Sequence, residues 1–213
     1  ALGFFVDIYD LLLFSIVRRS SFAELGVAEA AMKSTGENII SWQMLGLTIG
    51  GILWGMMGDK KGRKSVLFGS ILLYSFATIA NGMAQTVEQY IWLRFIAGLG
   101  LAGELGASIT LTSELLPKEK RGIAAALIAT SGVMGTIAAY FVHWASDENW
   151  RLCYYIGGAM GLALLFLRMG VLDSGLFQAS RKANVAHGNF LHFFNNRDRF
   201  ARYMRGILIG LPV

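Results

Sequence analysis

Gly55-Met56-Met57-Gly58-Asp59-Lys60-Lys61-Gly62-Arg63-Lys64 is the stretch on which the fold turns. It sets one anion and four cations among three glycines, with an apolar run on either side, residues 39–57 before it and 66–83 after it. Each run approaches the ~20 residues that a bilayer crossing needs, so the charged turn joins two membrane helices. Gly55 and Gly58 let those helices meet closely, Gly62 supplies the tight turn, and Asp59 offers a fixed anion among the cations. Such a pairing can break and re-form when helices move, which is a gating role. Topology alone would account for Lys60, Lys61 and Lys64, but not for Asp59 between glycines.

Working outward, four more apolar runs appear at residues 2–17, 90–115, 123–144 and 152–172. The 213 residues are 54% hydrophobic and 15% charged, too apolar for an ordinary soluble domain to hide in one core. The reading is an all-α membrane protein of six transmembrane helices. With 26 glycines and only 2 prolines, the helices are expected to pack through small residues. The small-residue pairs Gly46 with Gly50, Gly51 with Gly55, Ala102 with Gly106, and Gly157 with Gly161 mark the expected contacts.

A single cysteine, Cys153, excludes an intrachain disulfide, and no Cys/His cluster implies a metal or other cofactor. The net charge of +5 does not point to nucleic acid, because the cations cluster between apolar runs. Topology explains them. Lys60, Lys61, Arg63, Lys64, Lys118, Lys120, Arg121, Arg168 and six further cations up to Arg205 fall in one set of connections, whereas Arg18, Arg19, Lys33 and Arg151 fall in the other. The richer set is cytoplasmic, and both ends of the chain with it. Trp42, Tyr90, Trp92, Trp144 and Trp150 then lie near the outer ends of the helices, where amphipathic rings favour the headgroup zone.

No secretory signal precedes the first run, so the native start is expected to be missing. Residues 174–200, with His187 and His192, read as a solvated cytoplasmic linker, and residues 201–213 as the start of a seventh helix cut short. No nucleophile stands at readable spacing from a base, so an enzyme is not expected.

Ions inside these runs are costly and imply water, substrate or a partner charge. The fourth run holds Arg94 and Glu104, roughly 80° apart around a helix and both able to border one cavity. Arg94 could instead snorkel outward. The first run holds Asp7 and Asp10, three apart on one face, a spacing at which two like charges favour protonation of one. Asp7 could alternatively pair with loop cations. Gln43 could add a hydrogen bond to a cavity.

The loop at Gly55–Lys64 resembles the G-x-x-x-D-x-x-G-R-[KR] pattern of the major facilitator superfamily. Arg94-x-x-x-Gly98 is similar to that family's fourth-helix motif, and Gly103-Glu104-Leu105-Gly106-Ala107 looks like the G-E-x-G-A stretch of its metabolite:proton symporters. Asp7-Ile8-Tyr9-Asp10-Leu11 resembles their E-x-Y-D-[FL] run, with Asp7 where Glu is usual. Glu114-x-x-Pro117-x-x-x-Arg121-Gly122 is similar to a connector shared with sugar porters, where Glu and Arg brace the cytoplasmic helix ends. The fifth helix lacks the Gly-Pro pair of the drug antiporter branch.

The resemblance implies that residues 1–173 form the N-terminal lobe, two inverted three-helix repeats, facing a second six-helix lobe absent from this chain. It implies proton-coupled symport of a small polar metabolite, an organic acid or zwitterion, across a bacterial inner membrane by alternating access. Asp10, Arg94, Glu104, Asp7 and Gln43 would line the path of substrate and proton. Gly55, Gly58, Asp59, Gly62, Arg63, Lys64, Glu114 and Arg121 would serve the gate. A facilitative uniporter, or a receptor or scaffold that moves no solute, would keep the same helices.

Overall fold

A computed structural model describes residues 2–115 and 121–168 of the chain. Residues 169–213, which include the expected linker and seventh helix, lie outside the described residues, as do the side chains of Arg63, Lys64, Glu114 and Arg121. Six α-helices follow one another: α1 (Leu2–Glu24), α2 (Met32–Lys61), α3 (Arg63–Asn81), α4 (Val87–Leu115), α5 (Arg121–Ala145) and α6 (Trp150–Arg168). A 3-10 turn at Glu29–Ala31 leads into α2.

Helices α1, α2, α4 and α5 contain the apolar runs that announced them. The α3 helix stops at Asn81, two residues before its run ends, and the run of α6 continues past the described residues. The α2 helix begins at Met32, so the polar residues Lys33 to Asn38 are helical too. Backbone hydrogen bonding does not stop where hydropathy stops, because a helix satisfies its own N–H and C=O groups in lipid and in water alike. By composition alone, three of the described helical stretches are long and apolar enough to cross a membrane: Glu29–Lys61, Ala125–Ala145 and Trp150–Arg168. The stretch Ser65–Asn81 of α3 is apolar but shorter, and α1 and α4 are diluted by charged residues that turn inward, Asp7 and Asp10 on the one and Arg94 and Glu104 on the other. On α3, Ser70, Ser75, Thr78 and Asn81 are all fully buried.

The packing maps onto itself when α1, α2 and α3 are exchanged with α4, α5 and α6. The contact of α2 with α4 corresponds to that of α5 with α1, the contact of α3 with α4 corresponds to that of α6 with α1, and α3 against α6 corresponds to itself. Glycine makes the same close approach in both halves. A Cβ at Gly46 would strike the Phe95 carbonyl oxygen of α4, and one at Gly135 would strike the Phe5 carbonyl oxygen of α1. Gly157 and Gly161 likewise meet Tyr9, Tyr74 and Ser75 closely. Gly51 and Gly55 do not act this way, because a Cβ at either would meet nothing within 4 Å among the described residues. The alternation of small residues names a smooth face but not its partner.

Gly62 breaks α2 from α3 with φ 92° and ψ 155°, a conformation essentially restricted to glycine. Its N–H donates to the Gly58 carbonyl at 3.1 Å, so the turn is closed against the buried Gly58. Gly62→Ala should cost about 1–2 kcal/mol through backbone strain, read as a lower thermal midpoint of the detergent-solubilised full-length protein.

Three apolar clusters lie among the described residues. Tyr9, Phe14, Phe22, Ile39, Tyr90, Trp150 and Tyr154 belong to the largest, Val6, Ile71, Tyr74, Leu101 and Leu164 form the second, and Val66 and Leu67 form the smallest. Of the aromatic residues expected at the outer interface, Trp92 and Trp144 are exposed, but Tyr90 and Trp150 are buried. Tyr90 stands edge-on to the Trp150 and Tyr154 rings, which supply a better partner than lipid headgroups.

Candidate functional site

Between α1, α3, α4 and α6 the structure gathers charge in two storeys. The first centres on Asp10 and Arg94, both fully buried. Arg94 Nη2 donates to Asp10 Oδ1 at 3.1 Å. From α3, the Thr78 hydroxyl donates to the same Oδ1 at 3.0 Å. From α6, Tyr154 lays its ring 4.9 Å from the Arg94 guanidinium carbon, and its hydroxyl meets that of Tyr90. Arg94 therefore does not snorkel; a paired carboxylate and an aromatic face hold the cation where lipid could not.

The second storey holds Asp7 and Glu104, each buried to within a percent of complete. Their carboxyl groups lie within hydrogen-bonding reach of each other. Arg168 Nη1 stands 3.0 Å from Glu104 Oε1, but off the line of a hydrogen bond, so the contact is one of charge. Gly3 makes room for this, since a Cβ there would crowd both the Arg168 guanidinium and Glu104. The like-charge neighbour of Asp7 is thus Glu104 rather than Asp10, because Asp10 turns to Arg94 and Thr78.

The same four helices serve both storeys: α1 carries Asp7 and Asp10, α3 carries Tyr74 and Thr78, α4 carries Arg94 and Glu104, and α6 carries Tyr154 and Arg168. Sequence reasoning named the residues from α1 and α4 but missed Thr78, Tyr74, Tyr154 and Arg168. Thr78 and Tyr74, four apart and so on one face of the third span, were a readable signal; Arg168 was masked by its place among the topogenic cations.

Gln43 is buried on α2 with its side-chain nitrogen unpartnered. Its backbone carbonyl is the atom that a Cβ at Gly98 would strike, so it marks the α2–α4 seam. The exposed Asp59 lies in the last turn of α2, with Gly55 one turn before it. A separate cleft of about 560 Å³, lined by Arg19, Tyr140, His143, Trp144 and Glu148, opens between the ends of α1 and α5 and includes none of Asp7, Asp10, Arg94, Glu104 and Arg168.

At the same end a clamp joins α1, α3 and α6. Trp150 Nε1 donates to Glu24 Oε2 at 2.6 Å, Arg151 Nη2 pairs with Glu24 Oε1 at 2.9 Å, and Arg151 Nη1 donates to the Gly82 carbonyl at 2.8 Å. Beyond the apolar part of α1, the Trp150 N–H bond, with Arg151 assisting, holds the Glu24 carboxyl below the usual glutamate range. A depressed pKa contributes stability that is present above the unfolded value and lost as pH falls through the folded one. Glu24→Gln should therefore flatten the acid limb of the stability profile below the ordinary glutamate range. The loss near neutral pH should stay under about 1 kcal/mol, because the pair is half exposed and screened. Thermal unfolding across a pH series checks this.

Comparison with known proteins gives this geometry its setting. The cis,cis-muconate transport protein of Acinetobacter baylyi is 30% identical over 184 residues, 85% of this chain and 44% of that protein. The 3-(3-hydroxy-phenyl)propionate transporter of Escherichia coli is 31% identical over 147 residues, 68% of this chain and 36% of that protein. The inward-open structure of the xylose transporter XylE from E. coli superposes with a TM-score of 0.71 at 20% identity, over 96% of this chain and 53% of that one. The chain spans about half the length of the curated relatives it matches. Residues 1–211 match the description Major Facilitator Superfamily. The chain is an integral multi-pass membrane protein and belongs to the major facilitator superfamily of transporters.

Proposed function

We propose that this chain is the N-terminal lobe of a secondary transporter that moves a small organic acid or zwitterion together with protons, by alternating access against a second six-helix lobe. The observation that carries the reading is the Asp10–Arg94 pair, fully buried between α1 and α4. A carboxylate and a guanidinium sealed from water persist because each neutralises the other. A proton on Asp10 would discharge that hold and free the Arg94 fork, whose planar donors suit a carboxylate cargo. Relatives named for cis,cis-muconate and 3-(3-hydroxy-phenyl)propionate support an organic acid.

Asp7, Glu104 and Gln43 belong to the same polar path. The Gly55–Lys64 turn, with Glu114 and Arg121, would latch the cytoplasmic helix ends when the lobes rock. Positive charge in alternate connections supports a bacterial inner membrane orientation with both ends of this chain cytoplasmic. The test is uptake by full-length protein in proteoliposomes, using labelled carboxylates beginning with cis,cis-muconate. An inward proton gradient should drive accumulation, and Asp10→Asn should abolish its dependence on the gradient. Equal accumulation with and without the gradient would make the protein a uniporter.

A further inference from the structure

The buried charges do not balance. Asp7, Asp10 and Glu104 are three carboxylates with at most 1% exposure, and among the described residues the guanidinium groups that meet them are Arg94 and Arg168. Arg94 is matched one to one by Asp10. Arg168 is left facing two carboxylates, and an uncompensated charge is costly inside a membrane bundle. The four oxygens of Asp7 and Glu104 have no hydrogen-bond donor, although the two groups are close enough to bond. Two ionised carboxylates can only accept, and a hydrogen bond between them requires one added proton. That same proton brings Asp7, Glu104 and Arg168 to neutrality.

We propose that Asp7 and Glu104 share one proton opposite Arg168, forming a second proton-holding site one turn along α1 from Asp10. The site deepens the symport reading and rests on it for its role in transport. Arg168 marks the side on which the site meets solvent: its side chain is 18% exposed while that of Glu104 is sealed. When the proton leaves, Glu104 keeps Arg168 and Asp7 is left charged without a partner, a state that favours rearrangement of α1 against α4 and α6. The other titratable groups facing the pair are Asp10 of α1, Tyr74 of α3 and, at Glu104, the α-amino group of the chain. The Tyr74 hydroxyl is buried without a hydrogen-bond partner.

Infrared difference spectroscopy of the reconstituted full-length protein at neutral pH reads the shared proton directly, as the carbonyl stretch of a protonated carboxylic acid. The band should be present in the wild type, shift in deuterated water, and disappear in both Asp7→Asn and Glu104→Gln. Two variants guard against one that fails to fold. The ratio of gradient-driven accumulation to exchange should fall about tenfold in each, mid-range for the coupling of two sites. A wild type without the band, or a band unchanged in both variants, overturns the shared proton. The spectrum needs no transport, so a protein that shows the band and its loss but ignores the proton gradient removes the symport reading alone.

Discussion

Arg94→Gln in the full-length protein should lower stability by about 3–5 kcal/mol, the cost of leaving one member of a buried ion pair alone. Asp10 would keep only the Thr78 hydroxyl at 3.0 Å, and with no exposure it has no route to water. Asp10→Asn should cost less, because Arg94 retains the Tyr154 face and Asn can still accept from it. The double variant should be more stable than Arg94→Gln alone, since neither charge is then orphaned. Arg94→Lys should fall between, keeping the charge but losing the fork that reaches both carboxylate oxygens, at 3.1 and 3.4 Å. Thermal midpoints of the four proteins in detergent close the cycle. Strict additivity of the single losses would mean that the two groups do not hold each other.

Gly46→Val should cost about 3 kcal/mol, the upper part of the range for overpacking. The new Cβ would meet the Phe95 carbonyl oxygen and the Leu99 amide nitrogen, both backbone atoms of α4. A side chain could swing aside, but here the helices themselves must separate. Trp54 Nε1 donates to the Leu99 carbonyl at 2.7 Å along the same seam, so separation also strains that bond. The measurement is thermal unfolding together with the yield of membrane-inserted protein. Gly51→Ala is the control: its Cβ meets nothing within 4 Å among the described residues, and replacing a helical glycine should gain about 0.5–1 kcal/mol.

Periodicity could not have told these two glycines apart. Both lie in small-residue pairs five residues apart in sequence, and only the crossing of α2 over α4 decides which pair is a contact. The same holds for Arg94. Its short distance from the start of an apolar run left snorkelling open, and the choice was made by a carboxylate on α1, 84 residues away in sequence.

Six helices, their order, the Gly62 turn and the presence of costly ions on the first and fourth helices were determined by the sequence itself. They follow from hydropathy over ~20 residues and from the steric freedom of glycine, both local properties of the chain. Which ions pair was decided only in three dimensions. Asp10 with Arg94, Glu104 with Arg168, and Asp7 against Glu104 join helices that are remote in sequence. Coulomb attraction and burial act on distance in space, which the order of residues does not state.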